Sequence, residues 1–335
     1  MKIVIFGCQQ IAVDVIKYLS TLDDVSLPLV ITYELPLDQT YGYESVIKLC
    51  EGINIKVINP KSVNKDVIQK IIEISPDIIL SIYYRKIFPK KLINLPNLGC
   101  INIHPSALPY YRGPVPTAWA IENGETQFGI SIHYMDEGID TGDILIQEKH
   151  AINDDETGYE LYTRAMTLGF DLFRNNFKKI IDGEIKATPQ IGKGSYYGKK
   201  NGRYTIDWKK STKHILGLIR VHSKPFNPAE TVLFNRYFLI NKALEYKLDN
   251  IPLQGAGKII KVLDEDQFVV SCADGYLLIK DYEIAPTITA QEKKIYLKEG
   301  NKFDWTKILL FMWLILNMSV ILTLYKNEDA ETASM

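Results

Sequence analysis

Two short stretches of this chain hold side chains able to work on a carbonyl group. The first is Asn102-Ile103-His104-Pro105. An amide and an imidazole two residues apart on a strand emerge on the same side, and Pro105 biases His104 toward an extended backbone. The amide can donate N–H bonds to a developing oxyanion, and the imidazole can move a proton near neutral pH. Alone the pair is weak evidence, because an Asn closing a turn beside a satisfied core histidine has the same spelling. The second stretch is Asp136-Glu137-Gly138-Ile139-Asp140-Thr141-Gly142-Asp143. A calcium loop needs an oxygen ligand at its third position and glycine at its sixth, where this chain has Gly138 and Thr141. Asp-Thr-Gly also occurs in aspartic proteases, which need a second carboxylate to share the proton, and no second copy is present. There remains a glycine-hinged loop that brings the Asp140 carboxylate beside His104, orienting the imidazole and favouring its protonated form.

Other chemistries fit less well. Gly7-Cys8-Gln9-Gln10-Ile11-Ala12 supplies one glycine where a dinucleotide fingerprint needs three, so NAD is not expected. Cys8, Cys50, Cys100 and Cys272 are widely spaced, which argues against a disulfide framework and a zinc site; no metal and a reducing cytoplasm are expected. With 39 Lys and Arg against 40 Asp and Glu, no global field draws the chain to nucleic acid.

The elements that must position these residues follow from hydrophobic patterning. A chain of 335 residues suggests two domains. Apolar runs at Lys2–Phe6, Leu27–Thr32, Asn54–Val57, Asp77–Tyr83 and Gly99–Ile103 read as strands, alternating with helices at Gln9–Leu19, Tyr43–Cys50 and Val63–Ile74. This predicts an α/β, Rossmann-like, doubly wound and mostly parallel sheet. Such sheets bind ligands beyond the carboxyl ends of their strands, where Asn102 and His104 fall. Phe128–Tyr134 and Asp143–His150 read as further strands, followed by a helix from Thr157 to about Ile181. The resulting division is a catalytic domain at 1–187, a Gly/Lys/Tyr-rich linker at 188–203 and a small OB-like antiparallel β-barrel at 204–300. An apolar tail at 301–335, read as a helix, follows.

The joint pattern Asn102-Ile103-His104-Pro105-Ser106…Tyr111-Arg112-Gly113 with Asp136-Glu137-Gly138-Ile139-Asp140-Thr141-Gly142 resembles the folate-dependent formyltransferase family. That family includes methionyl-tRNA formyltransferase, sugar N-formyltransferases and glycinamide ribonucleotide transformylase. Ser75–Arg85, Ile58-Asn59-Pro60, Val63-Asn64, Tyr196–Lys199 and Ile206-Asp207-Trp208 are similar to the formyltransferase domain that acts on UDP-4-amino-4-deoxy-L-arabinose. The resemblance covers roughly residues 1 to 285 and leaves out the tail. It implies that Asn102, His104 and Asp140 are catalytic. It also implies that 10-formyltetrahydrofolate is held largely by backbone around Lys86, Ile87, Phe88 and Pro114 and by the loop Asp136, Glu137, Gly138, Ile139 and Asp140. Lys86 and Pro114 stand where the arabinose enzyme has histidine and arginine.

The acceptor amine divides two readings. Methionyl-tRNA formyltransferases are implied to grip tRNA with a basic loop after the second strand, yet Tyr33–Ile47 holds no Lys or Arg and three acids, Glu34, Asp38 and Glu44. Phosphate contacts need cations, which favours a nucleotide-linked 4-amino sugar as acceptor. On the other side, Thr188–Lys213 carries seven basic residues, Lys193, Lys199, Lys200, Arg203, Lys209, Lys210 and Lys213, a track that tRNA or a sugar-nucleotide pyrophosphate could use. Tyr111 and Arg112 are the candidate acceptor contacts. A hydrolase of the same folate and an inactive folate-binding scaffold rank below both transferase readings, because Asn102, His104 and Asp140 are all present. The stretch Ile308–Tyr325 lacks charged residues and is bracketed by Lys307 and Lys326. That length meets the lower edge of a membrane span, so membrane contact and a buried terminal helix are both open. The basic residues ahead of the stretch would keep the body on the cytoplasmic side. A homo-oligomer is compatible with the sequence.

Overall fold

The computed structural model describes residues 1–33, 41–198, 204–248, 253–264 and 266–304. They form two compact units, divided between Asn201 and Gly202.

The first unit begins with β1 (Lys2–Gly7), α1 (Gln9–Ser20), β2 (Ser26–Ile31), α2 (Val46–Gly52), β3 (Val57–Ile58), α3 (Lys65–Ile74) and β4 (Ile78–Ile82). It continues through α4 (Lys90–Ile93), β5 (Cys100–His104), α5 (Pro116–Glu122), β6 (Gln127–Tyr134), β7 (Ile144–Ala151) and α6 (Gly158–Ile181). The strand order is β3-β2-β1-β4-β5-β6-β7, with β6 antiparallel to both neighbours and the remaining pairs parallel. The expected doubly wound sheet is present, and its order reverses between β1 and β4. In β1 and β4 every residue but Lys2 is buried, as strands covered on both faces require.

Helix α6 fixes which way β5 presents its side chains. It starts in a capping box, with Thr157 accepting the Glu160 N–H and Glu160 reaching back to the Thr157 N–H. At Gly169 it approaches the sheet so closely that a Cβ would sit 3.3 Å from the Ile103 methyl and 3.1 Å from Ile11. Ile103 therefore faces α6, and the alternation of a strand turns Asn102 and His104 to the opposite face.

Several boundaries differ from the expected ones. Helix α2 starts at Val46 because Ser45 caps it by accepting the Lys48 N–H, and β3 shrinks to two residues after Asn54, whose φ is +57°.

The second unit holds α7 (Thr212–Val221), β8 (Ala229–Leu233), β9 (Arg236–Tyr246), β10 (Ile259–Val262), β11 (Phe268–Ser271), β12 (Tyr276–Ala285) and α8 (Ala290–Tyr296). The strands make an antiparallel sheet ordered β10-β11-β12-β9-β8. Its two edges are tied by one segment. The Gly300 and Phe303 N–H groups donate to Ile259 and Gly257 on the β10 side, and the Asp304 N–H donates to Val232 in β8. Phe303 is buried beside Trp208, Phe238 and Phe268. Neither α7 nor α8 was part of the antiparallel β-barrel expected for 204–300; α7 is capped by Ser211 and buries Ile215 and Ile219.

The tail stretch Ile308–Tyr325 lies outside the described residues, as do Lys199, Lys200 and Arg203 and positions 34–40. Among the described residues no helix is long and apolar enough to cross a membrane.

Candidate active site

Asn102 and His104 sit at the carboxyl end of β5. Asn102 pairs across the sheet with His133 of β6, and His104 pairs with Ser131. Asp140 arrives from the hairpin between β6 and β7. Its Oδ2 lies 3.6 Å from His104 Nδ1, and its Oδ1 accepts a long 3.4 Å contact from Asn102 Nδ2. The amide, imidazole and carboxylate thus meet across 38 residues of chain, and both His104 and Asp140 are largely buried.

The hairpin is built to deliver that carboxylate. Asp136 Oδ1 accepts from the Gly138 N–H at 3.0 Å and the Thr141 hydroxyl at 2.6 Å, folding the loop on itself. Asp140 has φ +53°, a left-handed conformation that costs a non-glycine residue ~1 kcal/mol or more. The surroundings hold it there. Gln190 Nε2 donates to the Asp140 and Gly142 carbonyls at 2.9 and 2.8 Å, and the Gly113 N–H donates to Asp140 Oδ2 at 2.8 Å. Gly142 has no room for a side chain, since a Cβ there would lie 1.9 Å from the Tyr134 carbonyl.

His104 Nε2 is 3.0 Å from the Tyr111 carbonyl, so it carries a hydrogen and donates. Nδ1 then faces Asp140. His133 shows the reverse arrangement. Its Nδ1 lies 2.7 Å from the Tyr134 carbonyl and its Nε2 lies 3.0 Å from Asn102 Nδ2. Burial pushes this imidazole down to about 4, outweighing the opposing pull of the Asp140 carboxylate. His133 is therefore neutral near pH 7. Neither His133 nor Gln190 was among the residues expected at the site.

Tyr111 and Arg112 have internal partners. The Tyr111 ring stacks on Tyr197 at 5.0 Å, and its hydroxyl donates to Glu125 at 2.5 Å. Burial and this carboxylate raise the phenol well above its usual range. Arg112 donates from Nε and Nη2 to Gln190 Oε1 at 3.1 and 2.7 Å. Its backbone pairs with Ser195 and Tyr197, so part of the stretch read as a linker lies against the loop after β5. Arg112, Gln190 and Asp140 form one continuous chain of hydrogen bonds.

The residues expected to hold the folate divide by exposure. Phe88 is core, 4.4 Å from Phe6, whereas Ile87 and Ile139 expose apolar side chains to solvent. Lys86 Nζ donates to the Pro60 carbonyl at 2.5 Å and lies over the Tyr33 ring, and Glu137 pairs with Lys90. Pro114 is half-buried between Gly113 and Val115. A cavity of about 300 Å³ lies beside Tyr111, lined by Ser106, Tyr110, Phe128 and Lys149; Asn102, His104 and Asp140 are not in its wall. Among the described residues no cluster of three His, Cys, Asp or Glu is arranged to hold a metal. Cys100 beneath the site is a buried thiol pushed up to about 12 by desolvation. The arrangement can orient a carbonyl oxygen with one amide and pass a proton through one carboxylate-backed imidazole.

The family model for formyl transferase matches residues 2–175, and that for the formyl transferase C-terminal domain matches residues 199–294. A methionyl-tRNA formyltransferase of Carboxydothermus hydrogenoformans is 33% identical over 317 residues, covering 92% of this chain and 96% of that protein. The Clostridioides difficile methionyl-tRNA formyltransferase is 32% identical over 292 residues, covering 85% and 92%. Two solved structures share the fold at 24% identity. A sugar 3N-formyl transferase in the presence of dTDP and 5-N-formyl-THF has a TM-score of 0.63, covering 86% of this chain and 99% of that one. The N-formyltransferase of Helicobacter canadensis, with folinic acid and dTDP-3-aminofucose, has a TM-score of 0.65, covering 84% and 99%. With both halves matched and a relative a third identical along nearly its whole length, this chain belongs to the folate-dependent formyltransferase family.

Proposed function

We propose that the protein transfers the formyl group of 10-formyltetrahydrofolate to the primary amine of a nucleotide-linked 4-amino sugar. The observation that carries the transfer is the convergence of Asn102, His104 and Asp140. The neutral amine attacks the formyl carbon, a C–N bond forms, and negative charge develops on the formyl oxygen. Asn102 and protonated His104 are the groups that stabilise it, and loss of one such donor costs ~100- to 1,000-fold in rate. The bond from carbon to the folate nitrogen then breaks. His104 gives its proton to that nitrogen and takes up the proton lost by the amine, directly with Asp140 behind it or through water, so the imidazole ends as it began. The folate is assigned to the exposed backbone and apolar side chains at Ile87 and Ile139, with Lys86, Phe88, Pro114 and Asp136–Asp140 framing them.

The choice of a sugar acceptor rests on Tyr33–Ile47, which follows β2 without a Lys or Arg. Methionyl-tRNA is the second reading, favoured by the named tRNA enzymes at 32–33% identity. A screen pairing UDP- and dTDP-4-amino sugars with methionyl-tRNA separates them. Folate release with a nucleotide sugar alone supports the first, and release with methionyl-tRNA alone overturns it.

A further inference from the structure

We propose that His133 is a positioning residue that sets the Asn102 amide for catalysis, an inference that rests on the formyl-transfer reading of the site. His133 stands directly opposite Asn102 in the β5–β6 register and is 1% exposed. A ring buried so completely has few partners, and each one is identified. Its Nδ1 can only donate, because the Tyr134 carbonyl 2.7 Å away offers no hydrogen. A neutral ring then keeps a lone pair on Nε2, 3.0 Å from the Asn102 amide.

That lone pair decides the orientation of Asn102. With nitrogen toward His133, the amide donates one N–H to Nε2 and directs the other toward Asp140 Oδ1. Rotated by half a turn, it would press its carbonyl oxygen against the Nε2 lone pair and the Asp140 carboxylate, with repulsion at both. The two N–H bonds are unequal. The one to His133 is 3.0 Å, whereas the one to Asp140 is 3.4 Å, close to the outer limit of a hydrogen bond. An arriving formyl oxygen takes the second N–H from Asp140 while His133 keeps the first. His133 thus anchors the amide, and Asp140 holds a place that the reacting oxygen fills. The remaining charged or titratable groups around His133 are Asp140, 3.8 Å from Nε2, His104, whose ring centre is 6.3 Å away at a right angle, and Asp136.

Two substitutions and one spectrum test this. His133→Leu removes the acceptor, and His133→Gln restores one at the position of Nε2. The expected result is a fall in kcat of ~100-fold for His133→Leu, the scale of an ångström's misplacement, with KM for 10-formyltetrahydrofolate within about twofold. His133→Gln is expected to recover at least about tenfold of that loss. In an Asn102→Ala background His133→Leu should slow single-turnover transfer no further, because residues that act as a unit are not additive. Wild-type kcat in His133→Leu overturns the proposal. So do equal losses in the Leu and Gln variants at wild-type Tm, and full additivity with Asn102→Ala. If the Leu variant does not fold, His133→Met takes its place. Nitrogen-15 imidazole spectra need no turnover: the neutral ring with hydrogen on Nδ1 is expected at pH 7. An Nε2–H ring or an imidazolium there overturns the proposal whatever acceptor the enzyme uses, whereas the expected spectrum without any formyl transfer refutes only the activity.

Discussion

Gln190→Ala tests whether the placement of Asp140 depends on the chain of hydrogen bonds behind it. The Gln190 amide donates to the Asp140 and Gly142 carbonyls and accepts two bonds from the Arg112 guanidinium. Alanine removes all of these contacts together. A neutral hydrogen bond contributes about 1 kcal/mol net and one to a charged group about 1.5–3 kcal/mol. Gln190 is half-exposed, so water replaces part of the loss and about 2–3 kcal/mol remains. For a unit of this size that corresponds to a Tm lower by roughly 5–10 °C. The rate should fall further than stability implies. Asp140 is held at φ +53° by these bonds, and a shift of ~1 Å in a catalytic group costs ~100-fold. Gln190→Glu separates the two effects. It keeps an acceptor for Arg112 and loses the donors to the loop, so it should be as slow as alanine with a smaller drop in Tm. The assay is acceptor-dependent release of tetrahydrofolate, read beside thermal unfolding. Gln190→Ala with wild-type rate and wild-type Tm would show that the clamp does not hold Asp140, and the reasoning would be refuted.

Four further outcomes are expected. Asn102→Ala should slow transfer ~100- to 1,000-fold, leaving a rate that single-turnover assays can read, and Asp140→Ala should abolish it, while circular dichroism stays that of the folded protein; turnover near wild type in either removes that residue from the mechanism. Gly142→Ala forces a Cβ to 1.9 Å from the Tyr134 carbonyl, so urea unfolding should show a loss of about 2 kcal/mol or more, and an unchanged midpoint contradicts the close approach. Phe303→Ala empties a buried site within the segment that joins β10 and β8, with an expected cost of about 3–5 kcal/mol; a loss under about 1 kcal/mol in unfolding of the full chain would mean the closure does not matter. His133 is neutral in the fold down to about 4 but titrates near 6.5 when unfolded. Below 6.5 the unfolded chain binds the extra proton, so stability falls as pH drops from 6.5 toward 4; His133→Gln should flatten that fall in urea titrations at pH 7 and 5, and an unchanged slope excludes His133 as its source.

Local patterns carried the parts of this molecule that depend on local physics. Strand alternation placed Asn102 and His104 on one face, and Ile103 against Gly169 of α6 shows why. The start of α6 was read at Thr157, and the structure gives the local reason: Thr157 and Glu160 form a capping box one residue before its first turn. Asp140 is different. Its approach to His104 spans helix α5, strand β6 and a hairpin; excluding the calcium-loop and protease readings left it as a carboxylate beside His104, and the family resemblance then made it catalytic. His133 was hidden because its partner is set by the antiparallel register of β5 and β6, and no window of sequence states which strand lies opposite which. Gln190 sits in a stretch without periodicity, where structure is held by single hydrogen bonds and not by a repeating apolar face. Strand β12 is hard to read for a related reason. Register shifts between Ile279 and Tyr282 interrupt the alternation on which strand reading relies. Helix α7 did leave a signal, Ser211 followed by Ile215 and Ile219, which the surrounding lysines obscured.

The most direct test of the central claim is a comparison of wild type and His104→Ala in an assay that follows tetrahydrofolate and formate separately, with 10-formyltetrahydrofolate supplied with and without a nucleotide-linked 4-amino sugar. The wild type should release tetrahydrofolate only when the amine is present, in step with formamide formation, and His104→Ala should release none while remaining folded. Equal turnover by the two proteins, or formate released by the wild type without any amine, would contradict it.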